Sequence, residues 1–347
     1  MSVFNSGSKS LKPPLSVWYA RCSTLTAFGL VVNRGLLKRE FLHDNIDLLS
    51  VREGTTTEVR HGHLDHSLPF LIREADAATA LWAYGQNGRS RLLALGATYH
   101  AISIVVPQNS HIRSLADLNG RRLSLPREAG IFSPARVRTL RAWESILHYA
   151  GLERHQVEFV PVIADHPSVP FGDVARRETE ALLGGETEAA IVYGAKGLEL
   201  IQSTHLRLVH QFSAQDIYED PRLSGLIEQR ALSVDSQLIE HQADALQRVL
   251  RHVFRAADWA RHFPREALSQ IAYEGKVGIE AARLAYGDLV AEGAALGLEP
   301  ARIEKLERLR HWLGQGGYLS PDLNLHDWIK AKILDNHRDY VPQKVIA

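Results

Sequence analysis

One cysteine and one methionine occur in 347 residues, and the shortage of thiols restricts the chemistry at once. A lone Cys22 excludes an internal disulfide and any site built from several thiolates; it is either a small buried apolar residue or a reactive thiol. Excess charge is missing too. Forty basic and forty acidic residues cancel, so no net field draws the chain to nucleic acid or to an anionic membrane surface. No run of about 18 apolar residues occurs, which argues against a membrane-spanning helix. Met1 to Leu15 is polar and Ser-rich, with Pro13-Pro14, and lacks the apolar stretch of a secretory signal; a cytoplasmic location is expected. The glycines form no phosphate-binding loop, dinucleotide fingerprint or serine-hydrolase elbow, with Gly184-Gly185 standing alone, so nucleotide-dependent chemistry is not expected.

What is present is an ordinary globular composition, 45% hydrophobic and 23% charged, at a length that suits two domains with separate cores. Ser16 to Arg21 reads as a short strand, and Thr24 to Leu37 carries apolar residues at helical spacing, which puts Cys22 and Ser23 at a strand-to-helix junction. Strands are expected over Ile46 to Val51 and Arg91 to Leu95, with the apolar run Leu68 to Ile72 between them and a helix over Ala75 to Ala83. The alternation predicts a mainly parallel sheet in an α/β fold. The apolar run Ala101 to Val106 and the polar segment after it mark a crossing into a second α/β lobe, with helices from Ser133-Pro134 to Ala150 and from Asp173 to Leu183. Its strands are expected over Leu123 to Leu125, Val157 to Val162, Ala189 to Val192 and Leu206 to Val209. The chain thus divides into residues 16–105 as the first part of lobe 1, 106–212 as lobe 2, and 213–347 as a return to lobe 1 through Ala231 to Val234. Helices follow the return and are expected to pack outside the first lobe. A faint repeat, Glu74-Ala-Asp-Ala-Ala against Glu186-Thr-Glu-Ala-Ala, fits two related lobes.

Three features are candidates for chemistry. Amide groups at a helix start stabilise a thiolate, which makes Cys22 a possible nucleophile or acid; free cysteine is equally at home as an inert core residue. The cluster His61-Gly-His63-Leu-Asp65-His66 contains ligand types for zinc, but its spacing matches no metal motif, and a polar loop or a single catalytic histidine suits it better. Arg73 follows an apolar run and precedes a helix, an arrangement suited to a small oxyanion. It would equally serve as a surface guanidinium paired with Glu74 or Asp76. Of six tryptophans, Trp143, Trp259, Trp312 and Trp328 fall in helical segments and are expected in cores, while Trp18 and Trp82 are placed near the cleft as contacts for an aromatic ligand.

The segment from Ile102-Ser-Ile-Val-Val-Pro to Leu115-Ala-Asp-Leu-Asn-Gly-Arg-Arg resembles the hinge and second-lobe entry of solute-binding proteins for sulfonates, as do Gly29 to Leu37 and Ala181 to Ala190. A fuller resemblance is to the 2'-hydroxybiphenyl-2-sulfinate desulfinase family. It rests on Cys22 after the first strand, His63 ten residues before Arg73, and the strand Arg89-Ser-Arg-Leu-Leu. Ala257-Asp-Trp259-Ala-Arg261, Leu306-Glu-Arg to Trp312, Gly317-Tyr318-Leu319 and Leu325-His-Asp-Trp328 extend it toward the C-terminus. The resemblance implies a two-lobed fold of the periplasmic-binding-protein type II class with extra C-terminal helices. It also implies a hydrolase that needs no metal or cofactor and releases sulfite from a small aromatic sulfinate. Cys22, His63 and Arg73 would be its catalytic residues, with Ser23, Ala75, Trp18 and Trp82 beside Arg73 at the substrate. One departure stands out: the family has paired glycines after the arginine, where this chain has Glu74-Ala75-Asp76. A carboxylate beside an anion site repels the ligand unless it points away. A non-catalytic binder of the same fold, or another cysteine-dependent reaction on a small aromatic or sulfur-containing acid, are the competing expectations.

Overall fold

The computed structural model describes residues 14–21, 26–127, 132–163 and 174–334. The first lobe opens with β1 (Leu15–Ala20), α1 (Ala27–Asn33), α2 (Leu36–Glu40), β2 (Ile46–Ser50), α3 (Thr57–Gly62), β3 (Leu71–Asp76), α4 (Ala77–Asn87) and β4 (Ser90–Thr98). The second holds β5 (Ile102–Pro107), β6 (Arg122–Arg127), α5 (Pro134–Tyr149), β7 (Glu158–Ile163), α6 (Val174–Leu183), β8 (Ala190–Tyr193), α7 (Gly194–Ser203), β9 (Leu206–Phe212) and α8 (Ala214–Glu219). The chain then returns through β10 (Glu228–Asp235) to α9 (Ser236–His241), α10 (Ala243–His262), α11 (Pro264–Gly275) and α12 (Ile279–Tyr286). It ends in α13 (Val290–Ala294), α14 (Pro300–Gln315) and α15 (Leu325–Trp328).

The first sheet has the order β2-β1-β3-β10-β4. In the second lobe β8-β5-β9 and β6-β7 are joined where Ser124 N donates to Ala189 O at 2.9 Å, giving β7-β6-β8-β5-β9. The two orders are the same, with β10 and β5 in equivalent places. Each of these strands is antiparallel to both neighbours, while the other four strands of each sheet share one direction, so the sheets are mainly parallel, as expected, with one reversed strand each. The cause is the connection: a strand entering a lobe at the hinge must run away from it, while the strands of the βα units run toward it. The short sequence repeat does not reflect this symmetry. Glu74 lies inside β3, whereas Glu186 precedes β8, the topological partner of β3. The chain changes sheet between Thr98 and Ile102, inside the stretch assigned by sequence to lobe 1. Ala214, Ile217, Leu223 and Leu226 pack with Trp143 and Ile146 of α5, so the second core extends past residue 212.

Each sheet is covered on both faces. In the first lobe α1 and α10 bury one face and α4, α14 and α15 the other. The helix α10 shows why: Leu246, Val249, Leu250, Val253, Phe254 and Ala257 are buried at helical spacing. The C-terminal helices do more than cover the first lobe. α12 packs against α7, Gly278 N donates to Glu199 Oε1 at 2.7 Å, and Trp312 Nε1 of α14 donates to Glu144 Oε2 of α5 at 2.7 Å. They therefore brace both lobes. Among the described residues no helix is long and apolar enough to cross a membrane.

Candidate functional site

β1 and β3 lie side by side in parallel, with Ala20 opposite Arg73. Cys22 and Ser23 lie outside the described residues. The residue before them, Arg21, pairs with Glu274 of α11, which also holds Arg52, and Arg52 Nη2 donates to Arg21 O at 3.3 Å. Burial would raise the Glu274 carboxyl, but the two guanidinium groups outweigh it and hold the group below its ordinary value. The chain leaving β1 toward Cys22 is thus anchored to α11 from outside its own sheet.

The histidine cluster is built on α3. Thr56 caps the helix by accepting from Val59 N, and His63 ends it. The turn that follows is held by Leu64 N to His61 O at 2.8 Å and Leu68 N to Gly62 O at 3.2 Å. Asp65 Oδ1 accepts from Ser67 N, and Asn87 Nδ2 donates to Asp65 O. His66 adopts a left-handed φ of 59° with its side chain fully buried. Burial, with the nearby Arg73 charge adding to it, drives its imidazole well below the usual value, so it is neutral. The three histidines separate by environment: His61 is exposed, His63 half-buried and His66 enclosed.

Arg73 ties this turn to the sheet. Its Nη1 donates to the carbonyl of His63 and, at 2.8 Å, to that of Leu64. With 1% of its surface exposed it is no surface guanidinium. Charge-assisted bonds to two consecutive carbonyls fix the backbone that carries His63. His63 and Arg73 are therefore brought together, through backbone and guanidinium.

The two acids that follow Arg73 are turned to other work. Neighbours on a strand point to opposite faces, so Glu74 turns away from Arg73 and its Oε2 accepts from Phe28 N, in the first turn of α1, at 3.0 Å. Burial raises this carboxyl to about 7, against the opposing pull of Arg230, Phe28 N–H and Thr26. Asp76 Oδ1 caps α4 by accepting from Ala78 N at 2.9 Å and Thr79 N at 3.2 Å. Both carboxylates are spent on helix starts. Ala75 is half-buried opposite Ala231. The two tryptophans do not meet: Trp18 packs on Ala20, Val51, Val59, Leu68 and Leu71, while Trp82 stacks on Phe132 at 4.9 Å.

A cavity between the lobes was not legible in the sequence. Asp76, His100, Arg138, Arg141, Tyr193 and Glu228 supply its polar lining. Its free volume is about 10 Å³, room for roughly one water. Glu228 lies 3.2 Å from Arg230 and 3.9 Å from His100. Burial lowers His100 to about 4 even against the pull of Glu228, so the imidazole is neutral at pH 7. The only sequence signal for the site was the pair Arg138 and Arg141, three apart on α5 and hence on one face.

No protein-family model matches the chain. The 2'-hydroxybiphenyl-2-sulfinate desulfinase of Rhodococcus erythropolis is 24% identical over 364 residues, covering 92% of each chain. Among solved structures, a cysteine-to-serine mutant of the desulfurization enzyme DszB in complex with biphenyl-2-sulfinic acid superposes with a TM-score of 0.74 at 21% identity, over 93% of this chain and 99% of that one. The periplasmic sulfonate-binding protein SsuA of Methylobacillus flagellatus gives 0.69 at 12% identity, over 95% of both. In sequence the chain is similar to the 2'-hydroxybiphenyl-2-sulfinate desulfinases along nine-tenths of its length, and its fold is the periplasmic-binding-protein-like fold of DszB and the sulfonate-binding proteins.

Proposed function

We propose that the protein is a desulfinase that hydrolyses the carbon–sulfur bond of a small aromatic sulfinate, with Cys22, His63 and Arg73 at the reacting centre. The observation that carries this reading is the clamp of buried Arg73 on the backbone of His63, in a strand paired with the one that leads to Cys22. The similarity to desulfinases along 92% of the chain supports it. So does the fold shared with a DszB cysteine-to-serine mutant that holds biphenyl-2-sulfinic acid. Ser23, Ala75 and Trp18 are the proposed substrate contacts around this trio.

The overall reaction is aryl sulfinate plus water to arene plus bisulfite. In one route the Cys22 thiol protonates the ring carbon bearing sulfur, the carbon–sulfur bond breaks, and the released sulfur dioxide takes up water to give bisulfite and a proton that restores the thiol. In the other, Cys22 sulfur bonds to the sulfinate sulfur as its proton passes to the departing ring carbon; water then cleaves the sulfur–sulfur bond and returns bisulfite and the thiol. His63 moves the proton or orients the water in either route. Arg73 fixes His63 and places positive charge beside the negative oxygens of the sulfinate. We place the enzyme in the cytoplasm, where a single thiol stays reduced.

The test is to incubate purified protein with a panel of aryl and alkyl sulfinates and assay sulfite. Release from aryl members is the expected result. Tight binding without sulfite would instead support a binder, the role suggested by the fold shared with SsuA.

A further inference from the structure

The cavity between the lobes contains more hydrogen-bond donors than the chain satisfies. Arg138 and Arg141 project from successive turns of α5 into its lining. Among the described residues neither guanidinium has a hydrogen bond, nor a carboxylate within the 4.0 Å that defines an ion pair. Arg138 lies over the Tyr193 ring at 4.3 Å, and its Nε–H is buried without a partner. Arg141 stands 5.8 Å from the Trp312 ring. Both side chains are half-buried, and a buried donor such as the Arg138 Nε–H is rarely left without a partner in a folded chain.

The acids nearby are bonded in part elsewhere. Asp76 accepts from the first amides of α4, and Glu228 Oε1 is bonded to Arg230 while its Oε2 is buried without a hydrogen bond and acts on Arg138 through charge alone. Glu144 is paired with Arg154 and bonded by Trp312. Glu178 accepts from Ser124 Oγ at 2.8 Å, and its carboxyl, raised to about 7 by burial, is half-protonated at neutral pH. Arg138 and Arg141 thus share the cavity with Asp76, Glu228 and the neutral His100. Val137, Ala142, Leu226 and Ile227 complete the wall and would accept apolar surface next to the two guanidinium groups.

We propose that Arg138 and Arg141 form an oxyanion subsite, supplied by the second lobe, that takes the monoanionic oxo-acid group of a small aromatic ligand. Arg73 has its Nη1 spent on two carbonyls, and the second-lobe pair supplies further affinity for the anion. The free space fits about one water as the lobes stand, so the acid enters when they part and α5 closes on it. The identity of the acid as a sulfinate rests on the desulfinase reading; the subsite itself does not.

The experiment measures binding of benzenesulfinate, benzenesulfonate, benzoate and the neutral methyl phenyl sulfone to the full-length protein by calorimetry. Wild type is compared with Arg138→Gln, Arg141→Gln and Arg138→Lys, and sulfite release is followed in parallel. Each Gln variant is expected to weaken binding of the preferred anion 10- to 100-fold, as loss of a charge-assisted bond implies, with sulfone binding unchanged and the Lys variant in between. Anion affinity within twofold of wild type in both Gln variants would overturn the proposal, as would a wild-type protein that binds none of the four probes. If a Gln variant does not fold, the Lys variant decides: affinity equal to wild type counts against the subsite, a partial loss for it. Arginine-dependent anion binding without sulfite would uphold the subsite and refute the desulfinase. Sulfite release with an unchanged KM in the Gln variants would do the reverse.

Discussion

Replacing Arg73 with alanine removes a buried cation that donates to the carbonyls of His63 and Leu64. A hydrogen bond to a charged group contributes about 1.5–3 kcal/mol, and two carbonyls lose their donor together. Part of that is returned because the charge no longer has to be buried. The net loss expected is about 3–5 kcal/mol, a large share of the roughly 5–15 kcal/mol that holds a typical protein folded. Urea denaturation followed by tryptophan fluorescence measures it, and Arg73→Lys, which keeps the charge but not the fork, should fall between the two. The turn should also loosen locally, so amide exchange at Leu64 and Leu68, whose bonds close the turn, should accelerate before the rest of the lobe opens. In the proposed reaction the displaced His63 lowers kcat more than it raises KM. A variant within about 1 kcal/mol of wild type, with unchanged exchange at those two amides, would refute the assigned clamp.

Glu74 makes stability depend on pH. Its carboxyl is raised by burial to about 7, so from about pH 4.5 to 7 the folded chain keeps a proton that the unfolded chain has released, and stability falls as pH rises through that window. Glu178 is shifted to about the same value by the same cause, so Glu74→Gln should flatten the slope of melting temperature against pH without abolishing it. The variant should gain on the order of 2–3 kcal/mol relative to wild type at pH 8; an unchanged slope would contradict the placement. Trp143, fully buried and donating to Ser124 O at 2.9 Å, is the anchor of the second core. Trp143→Ala should cost about 3–5 kcal/mol and Trp143→Phe about 1–3 kcal/mol in chemical denaturation, and a Phe variant as stable as wild type would show that the indole bond contributes nothing.

Where side chains repeat at helical spacing, as in α5 and α10, the sequence shows the element and its buried face, because an amphipathic helix carries its packing in its own pattern. The strand-to-helix order likewise exposed two α/β lobes. The direction of β10 was hidden, since it depends on where the chain re-enters the lobe and not on the residues within the strand. α3 is six residues long, too short for periodicity to show, and its His61 to Gly62 end read as loop. Arg73 was identified as special, but its work on backbone carbonyls was not, because carbonyl positions leave no mark in residue type. Glu74 beside Arg73 suggested an ion pair in one dimension; strand alternation sends it to the opposite face. Arg138 and Arg141 carry no motif that marks them in the sequence, and only the closeness of the first lobe turns their side of α5 toward a cavity.

Sulfite release from an aryl sulfinate, compared between wild-type protein and Cys22→Ser under the same conditions with ligand binding followed in both, decides whether the thiol performs the proposed reaction. Turnover is expected in the wild type and none in the variant, which still binds the sulfinate. Sulfite produced equally by both, or by neither while both bind, would contradict the proposal.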